Sequence, residues 1–232
     1  MSTIADNLSS VSARIAAAAR AAQRDVNSVQ LLAVSKTKPA QALREAYAAG
    51  QRHFGENYLQ EALGKQAELA DLSLTWHFIG PIQSNKTRAI AEHFDWVHSV
   101  DRLKIAERLS EQRPATLAPL NICLQVNISG EASKAGCAPA DLPALAKAVA
   151  ALPRLRLCGL MAIPQPSADP AEQNAVFAQV RALNESLGMG LGTLSMGMSD
   201  DLEAAVAQGA TWVRIGTALF GARDYNTPAS SL

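Results

Sequence analysis

Cysteine is scarce in this chain. Cys123, Cys137 and Cys158 are an odd number with no C-x-x-C spacing, which argues against a disulfide framework and a structural zinc site. The four histidines, His53, His77, His93 and His98, form no H-E-x-x-H pattern, so the helix-borne metalloprotease site is missing as well. Charge of one sign is also lacking. Lys+Arg and Asp+Glu both number 21, giving zero net charge and no field to gather nucleic acid or an anionic membrane. No apolar run reaches the length of a membrane span, and the N-terminus carries Asp6 where a signal sequence would be basic and then apolar. A cytoplasmic protein is the expectation. Aromatics are 5% of the chain against 48% hydrophobic residues, which predicts a core of Ala, Leu, Val and Ile.

What is present is a repeated alternation of short apolar runs and amphipathic stretches. Ile4, Leu8, Val11 and Ile15 share one helical face over residues 3 to 22, and Thr3-Ile4-Ala5-Asp6 resembles a capping start. Strands are predicted at 31–34, 53–57, 74–81, 95–100, 120–128, 155–163, 192–197 and 212–215. Helices are predicted between them, over 39–49 with Gly50 as its cap, on to about 69, from 86, from a cap at Asp101 to about 112, and over 139–151, 169–187 and 199–208. Eight strands alternating with eight helices describe an α/β protein of the (β/α)8 TIM barrel type. It is expected as a single domain over 1–232 with an extra N-terminal helix, close to the roughly 250 residues such barrels use. The alternative is an open doubly wound sheet, but no G-x-G-x-x-G follows the first strand.

The first strand, Leu31-Leu32-Ala33-Val34, runs into Ser35-Lys36-Thr37-Lys38-Pro39. Continuous apolar residues read as a parallel strand covered on both faces, and Pro39 cannot prolong it. Lys36 therefore stands near the carboxyl end of a barrel strand, where chemistry gathers. It is a candidate Schiff-base former, or else a lysine snorkelling from a strand end. An ordinary lysine is neutral only about once in two thousand molecules at pH 7, so a reactive one needs apolar surroundings or a second cation such as Lys38 or Arg214. The ends of strands seven and eight carry a second signal, Ser195-Met196-Gly197-Met198-Ser199-Asp200-Asp201 and Arg214-Ile215-Gly216-Thr217. Barrels commonly hold a phosphate between these two loops. Gly216 permits close backbone approach, Thr217 with Ser195 or Ser199 can donate hydroxyls, and Arg214 can face the same opening. Ser199 could instead be a plain helix cap, and Asp200 and Asp201 must turn away from any phosphate. A reactive lysine and a phosphate cradle together describe a ligand with both an aldehyde and a phosphate.

The stretches LLAVSKTKP, FGENYLQEA, WHFIGPIQSNK, HFDWVHSVD, GLMAIP and SMGMSDDLEAAVAQGATWVRIGTALFGAR cover nearly the whole chain in order. In them the sequence closely resembles the pyridoxal-phosphate homeostasis protein family (YggS/PROSC), whose fold is like the barrel domain of alanine racemase. The resemblance implies that Lys36 carries pyridoxal 5′-phosphate (PLP) as a Schiff base. It also implies a phosphate against Ser195, Ser199, Gly216 and Thr217, with Arg214 beside the pyridine nitrogen. Asn57, His77 and Met161 would line the pocket. A guanidinium there disfavours protonation of the ring nitrogen and weakens the ring as an electron sink.

Three functions follow as expectations. The first, favoured by the resemblance, is a PLP carrier or buffer in vitamin B6 homeostasis with no turnover of its own. PLP itself and apo PLP-dependent enzymes are its expected partners, with no nucleic acid, no membrane and a monomeric state. The second is an amino-acid racemase-like PLP enzyme. Racemases use a second base and a C-terminal β domain, for which no room is expected before Leu232. Tyr47, Tyr58 and Tyr225 are not placed opposite Lys36, and Tyr58 reads as packing or rim. The third is a cofactor-free Schiff-base aldolase. Lys38, Lys86 and Lys134 read as solvated rim cations, with Lys134 a candidate for holding cofactor phosphate during loading.

Overall fold

The structure is a computed structural model and describes residues 2–130 and 135–221. β1 (Gln30–Val34), β2 (His53–Glu56), β3 (Thr75–Phe78), β4 (Trp96–Val100), β5 (Leu120–Gln125), β6 (Leu155–Met161), β7 (Thr193–Ser195) and β8 (Trp212–Ile215) are parallel. Each pairs with the next, and β8 returns to β1 to close a (β/α)8 barrel. The helices are α1 (Ile4–Ala21), α2 (Ala40–Ala48), α3 (Leu59–Glu68), α4 (Thr87–His93), α5 (Leu103–Gln112), α6 (Leu142–Ala150), α7 (Pro170–Ser186), α8 (Leu202–Ala207) and α9 (Thr217–Phe220). Among the described residues, no helix is long and apolar enough to cross a membrane.

Helix α1 begins as its sequence predicts. The Thr3 hydroxyl accepts from the Asp6 N–H while the Asp6 carboxylate accepts from the Thr3 N–H, a reciprocal capping box. The helix buries Leu8, Val11 and Ile15, and Asn7 Nδ2 donates to the Leu219 carbonyl, tying α1 to α9 at the closing seam. Three predicted starts move, the simplest being α6, which begins at Leu142 rather than about residue 139. Asp101 does not cap α5, because its carboxylate pairs with Arg102 Nη1 at 2.7 Å and Arg102 takes the cap position. Helix α8 begins at Leu202 rather than Ser199, with Asp201 at its cap position, and this releases Ser199 into the loop above β7.

The sheet separates two layers of different chemistry. Outward residues such as Ala33, Val97, Leu160 and Val213 pack with the helices into one mainly aliphatic cluster, as the composition predicts, with Phe54, Phe78, Phe94, Phe177 and Trp76 among them. The barrel interior departs from that expectation. It holds His53, His77, His98, Trp96 and Trp212, whose rings lie 4.8 to 5.9 Å apart, centroid to centroid. Leu32, Val34 and Ile79 complete this inner set around Trp212. Two of the three tryptophans thus lie with three histidines where aliphatic layers are usual, while Trp76 and the phenylalanines stay with the outer cluster. Inner space is tight between β6 and β7, where a Cβ on Gly159 would collide with the Thr193 carbonyl. Gly159→Ala is therefore expected to destabilise the barrel by about 3 kcal/mol or more, a fall in Tm of roughly 6–12 °C. Calorimetry showing a shift under 2 °C would contradict this packing.

Candidate functional site

A cavity of about 560 Å³ opens at the carboxyl end of the strands, a size usual for small-molecule sites. Each strand end contributes by ending where it does. Lys36 lies two residues past β1 in a turn closed by the Lys38 N–H donating to the Ser35 carbonyl at 3.1 Å. Asn57 follows β2 directly, Arg214 is in β8, and Gly216 and Thr217 join β8 to α9. Ser199 comes from the β7–α8 loop that the late start of α8 leaves open. These six of the nine residues nominated from sequence meet on the cavity wall. A Cβ on Gly216 would stand 3.3 Å from the Val34 carbonyl, so its small size serves the close packing of β8 on β1.

The other three, Ser195, His77 and Met161, lie within the strands, fully buried, and do not line the cavity. Sequence reasoning missed the apolar part of the wall, which comprises Val34, Ile79, Ile163, Met198 and Ala218. Ile163 and Met198 are 42% and 39% exposed, unusual for large apolar side chains unless something rests on them. Asp201 lines a separate cleft and accepts from the Met198 N–H at 2.6 Å. Asp200, expected to turn away as well, is on the exposed lining of the main cavity, where water solvates it. Lys38 shares a recess of about 40 Å³ with Lys36, Thr37 and Thr217. Tyr58 is 55% exposed, a rim residue as expected. Lys134 and Tyr225 lie outside the described residues.

Arg214 anchors the cavity from below, and its anchor is a continuous chain of hydrogen bonds across the barrel. Its Nη2 donates to the Ala162 carbonyl and its Nη1 to Ser195 Oγ, both at 2.9 Å. Ser195 Oγ lies 2.7 Å from His98 Nδ1, His98 Nε2 lies 2.9 Å from His77 Nδ1, and His77 Nε2 lies 3.0 Å from His53 Nδ1. The arginine can only donate, so Ser195 accepts from it and gives its own proton to His98 Nδ1. Each neutral ring then carries its proton on Nε2 and passes the polarity on. The reverse sense would leave the Ser195 proton without an acceptor among these groups.

Burial keeps the rings neutral. His98 is pushed down to about 3 by desolvation and then by the Arg214 charge. His77 lies well below the ordinary value through burial, with His98 and His53 adding to the effect. Burial lowers Arg214 to about 10, partly offset by Asp201, and it stays cationic at neutral pH. The cavity therefore offers an amine, a guanidinium, hydroxyl donors at Ser199 and Thr217, and one buried acceptor without a partner, Asn57 Oδ1. Among the described residues, no three His, Cys, Asp or Glu side chains group as a metal site.

The family model for the alanine racemase N-terminal domain matches residues 7–224. The chain is 76% identical over 230 residues to a pyridoxal phosphate homeostasis protein of Pseudomonas aeruginosa, covering 99% of this chain and all of that protein. The chain belongs to the pyridoxal phosphate homeostasis protein family. Another member, from Escherichia coli K12, is 56% identical over 232 residues, 97% of this chain and 99% of the relative. The solved structure of PipY from Synechococcus elongatus with PLP bound superposes on this homeostasis-family barrel with a TM-score of 0.82. Its identity is 47%, over 94% of this chain and 100% of that one.

The histidine chain fixes an acid limit for the fold. Between pH 6.5 and about 3 the unfolded chain binds protons that the folded chain refuses at His98, and His77 acts in the same sense. Stability is thus present above pH 6.5 and is lost as pH falls, by up to about 1.4 kcal/mol per pH unit for each ring. Urea midpoints are expected to drop between pH 7 and pH 5, above the range where ordinary carboxylates titrate. His77→Phe orphans His53 and His98, so it is expected to lose about 2–4 kcal/mol at pH 7 and to flatten that acid limb. Midpoints constant from pH 7 to pH 5 in the unaltered chain would contradict neutral rings.

Proposed function

We propose that this protein holds PLP in the cavity between Lys36 and Arg214 and serves intracellular PLP homeostasis as a carrier or buffer without turnover. One observation carries the reading: the amine of Lys36, the guanidinium of Arg214 and the hydroxyls of Ser199 and Thr217 stand on one wall of one cavity. The names of the relatives and the PLP-bound PipY structure support it. PLP brings an aldehyde, which condenses with a primary amine with loss of water, and an anionic phosphate.

The residues fit that group. Lys36 supplies the amine. Ser199, Thr217 and the backbone at Gly216 supply donors for the phosphate, and Arg214 supplies a fixed donor toward the ring. Asn57 Oδ1, buried without a partner, would supply an acceptor for a hydroxyl of the bound group. Ile163 and Met198 give the ring an apolar surface. Ser195 and His77 act from beneath by holding Arg214, and Met161 fills space beside them.

The wall also argues for holding over turnover. Among the described residues lining it, the ionisable groups are Lys36, Asp200 and Arg214. The histidines are locked neutral in the barrel below and the carboxylate of Asp200 is exposed, so among the described residues no buried second base faces the lysine. A permanent cation toward the ring gives little support to carbanion chemistry. PLP is then retained by many donors and released through an open mouth to apo-enzymes inside the cell.

Purified protein loaded with PLP is expected to show a visible absorbance band that borohydride abolishes and that Lys36→Ala lacks. Thr217→Ala is expected to raise the Kd for PLP roughly ten-fold, the value of a hydrogen bond to a charged group. Mixing with an apo-aminotransferase restores that enzyme's activity, while no amino acid exchanges its α-hydrogen in deuterated water. A protein that takes up no PLP would sink the reading, and steady α-hydrogen exchange would turn it toward the racemase-like enzyme.

A further inference from the structure

Against the Lys36 turn lies a buried ion cluster that neither the cavity wall nor the histidine chain uses. Lys65 of α3 is 5% exposed, and its ammonium donates to three oxygens: the Ser35 carbonyl at 2.7 Å, Glu56 Oε1 at 2.7 Å and Glu61 Oε1 at 2.5 Å. Glu56, at the end of β2, is fully buried, and its Oε1 also accepts from Ser35 Oγ at 2.5 Å. Glu61 Oε1 accepts from the Thr37 N–H at 2.6 Å. The residues on either side of Lys36 are thus tied to one ammonium and its two carboxylates.

The backbone between those ties is strained. Thr37 has φ of 63°, the left-handed region, at the second central place of the turn, where glycine is usual. A β-branched residue holds that conformation only where its surroundings over-determine it. Stability alone does not explain the cluster, since a buried ion pair is commonly matched or bettered by apolar packing. What it does uniquely is hold Ser35 and Thr37.

We infer that Glu56, Lys65 and Glu61 are positioning residues for Lys36: they clamp the Ser35–Lys38 turn in its left-handed form and so keep the lysine on the cavity wall. Lys65 and Glu56 fix the turn's entry through Ser35, and Glu61 fixes its exit through the Thr37 amide. The inference rests on the reading of Lys36 as the residue that takes up PLP.

Glu61 is the cluster member reachable without emptying the core, so the test compares Glu61→Ala, Glu61→Gln, Thr37→Gly and the Glu61→Ala/Thr37→Gly pair in the full chain. Two quantities are read beside Tm: hydrogen exchange of the residue-37 amide in cofactor-free protein, and the Kd for PLP from visible absorbance. Glu61→Ala is expected to speed that exchange and to raise the Kd, each about ten-fold, the loss of one charge-assisted hydrogen bond. Glu61→Gln, which keeps an acceptor, recovers most of both. In the Thr37→Gly background, where the left-handed turn is unstrained, Glu61→Ala raises the Kd less than about three-fold. The inference is overturned if Glu61→Ala leaves exchange and Kd unchanged. It is equally overturned if only Tm falls, or if the Kd penalty is the same with glycine at 37. If the unaltered chain takes up no PLP, the cofactor reading fails, and the exchange data alone decide whether the cluster holds the turn.

Discussion

A permanent cation buried inside a barrel is the constraint from which the rest follows. Arg214 is 5% exposed and, among the described residues, has a hydroxyl and a carbonyl as its hydrogen-bond partners rather than a carboxylate. A guanidinium cannot shed its proton at neutral pH, so every donor left without an oxygen would cost desolvation energy. Ser195 meets one donor, but a serine that accepts must also give its proton somewhere. His98 takes it, His77 takes the next, and His53 ends the run at the half-buried edge. The interior of the barrel is polar because this one side chain must be satisfied there.

That interior divides the labour of the fold. Between sheet and helices, aliphatic residues supply the burial that keeps the barrel closed. Inside the sheet, Trp96 and Trp212 wall the imidazole chain away from water and keep it neutral. The outer layer stabilises, and the inner layer gives Arg214 one position. At the neighbouring strand β1, the cluster of Lys65, Glu56 and Glu61 gives the Lys36 turn one conformation. A site prepared this way loses little entropy when an anionic aldehyde enters it.

The barrel was legible because its signals are local. Apolar runs broken by Pro39, Gly50 and capping pairs repeat eight times, and strand-end residues such as Lys36, Arg214 and Thr217 carry their chemistry openly. The polar interior was not legible, because the histidines match no metal-ligand spacing and their common face follows only from strand parity. His53 with Gly55, Trp96 with His98, and Trp212 with Arg214 are pairs two apart on short strands, so each pair shares one face of the sheet. That parity puts Ser195 and His77 on the inner face with Arg214, and their depth in the barrel keeps them off the cavity wall. Asp101 failed as a cap because Arg102 competes for its carboxylate, a contact propensity does not contain. The clamp on Lys36 joins β1, β2 and α3, and only its Glu61–Lys65 pair, four apart, has a sequence signature.

The central claim is that one lysine, held just past the strand next to a buried arginine, takes the aldehyde. Mass spectrometry of tryptic peptides after PLP loading and borohydride reduction tests it most directly. The account predicts a reduced pyridoxyl group on Lys36 alone at one equivalent of PLP. A label on Lys38, Lys86 or Lys134 instead, or spread evenly among them, would contradict it.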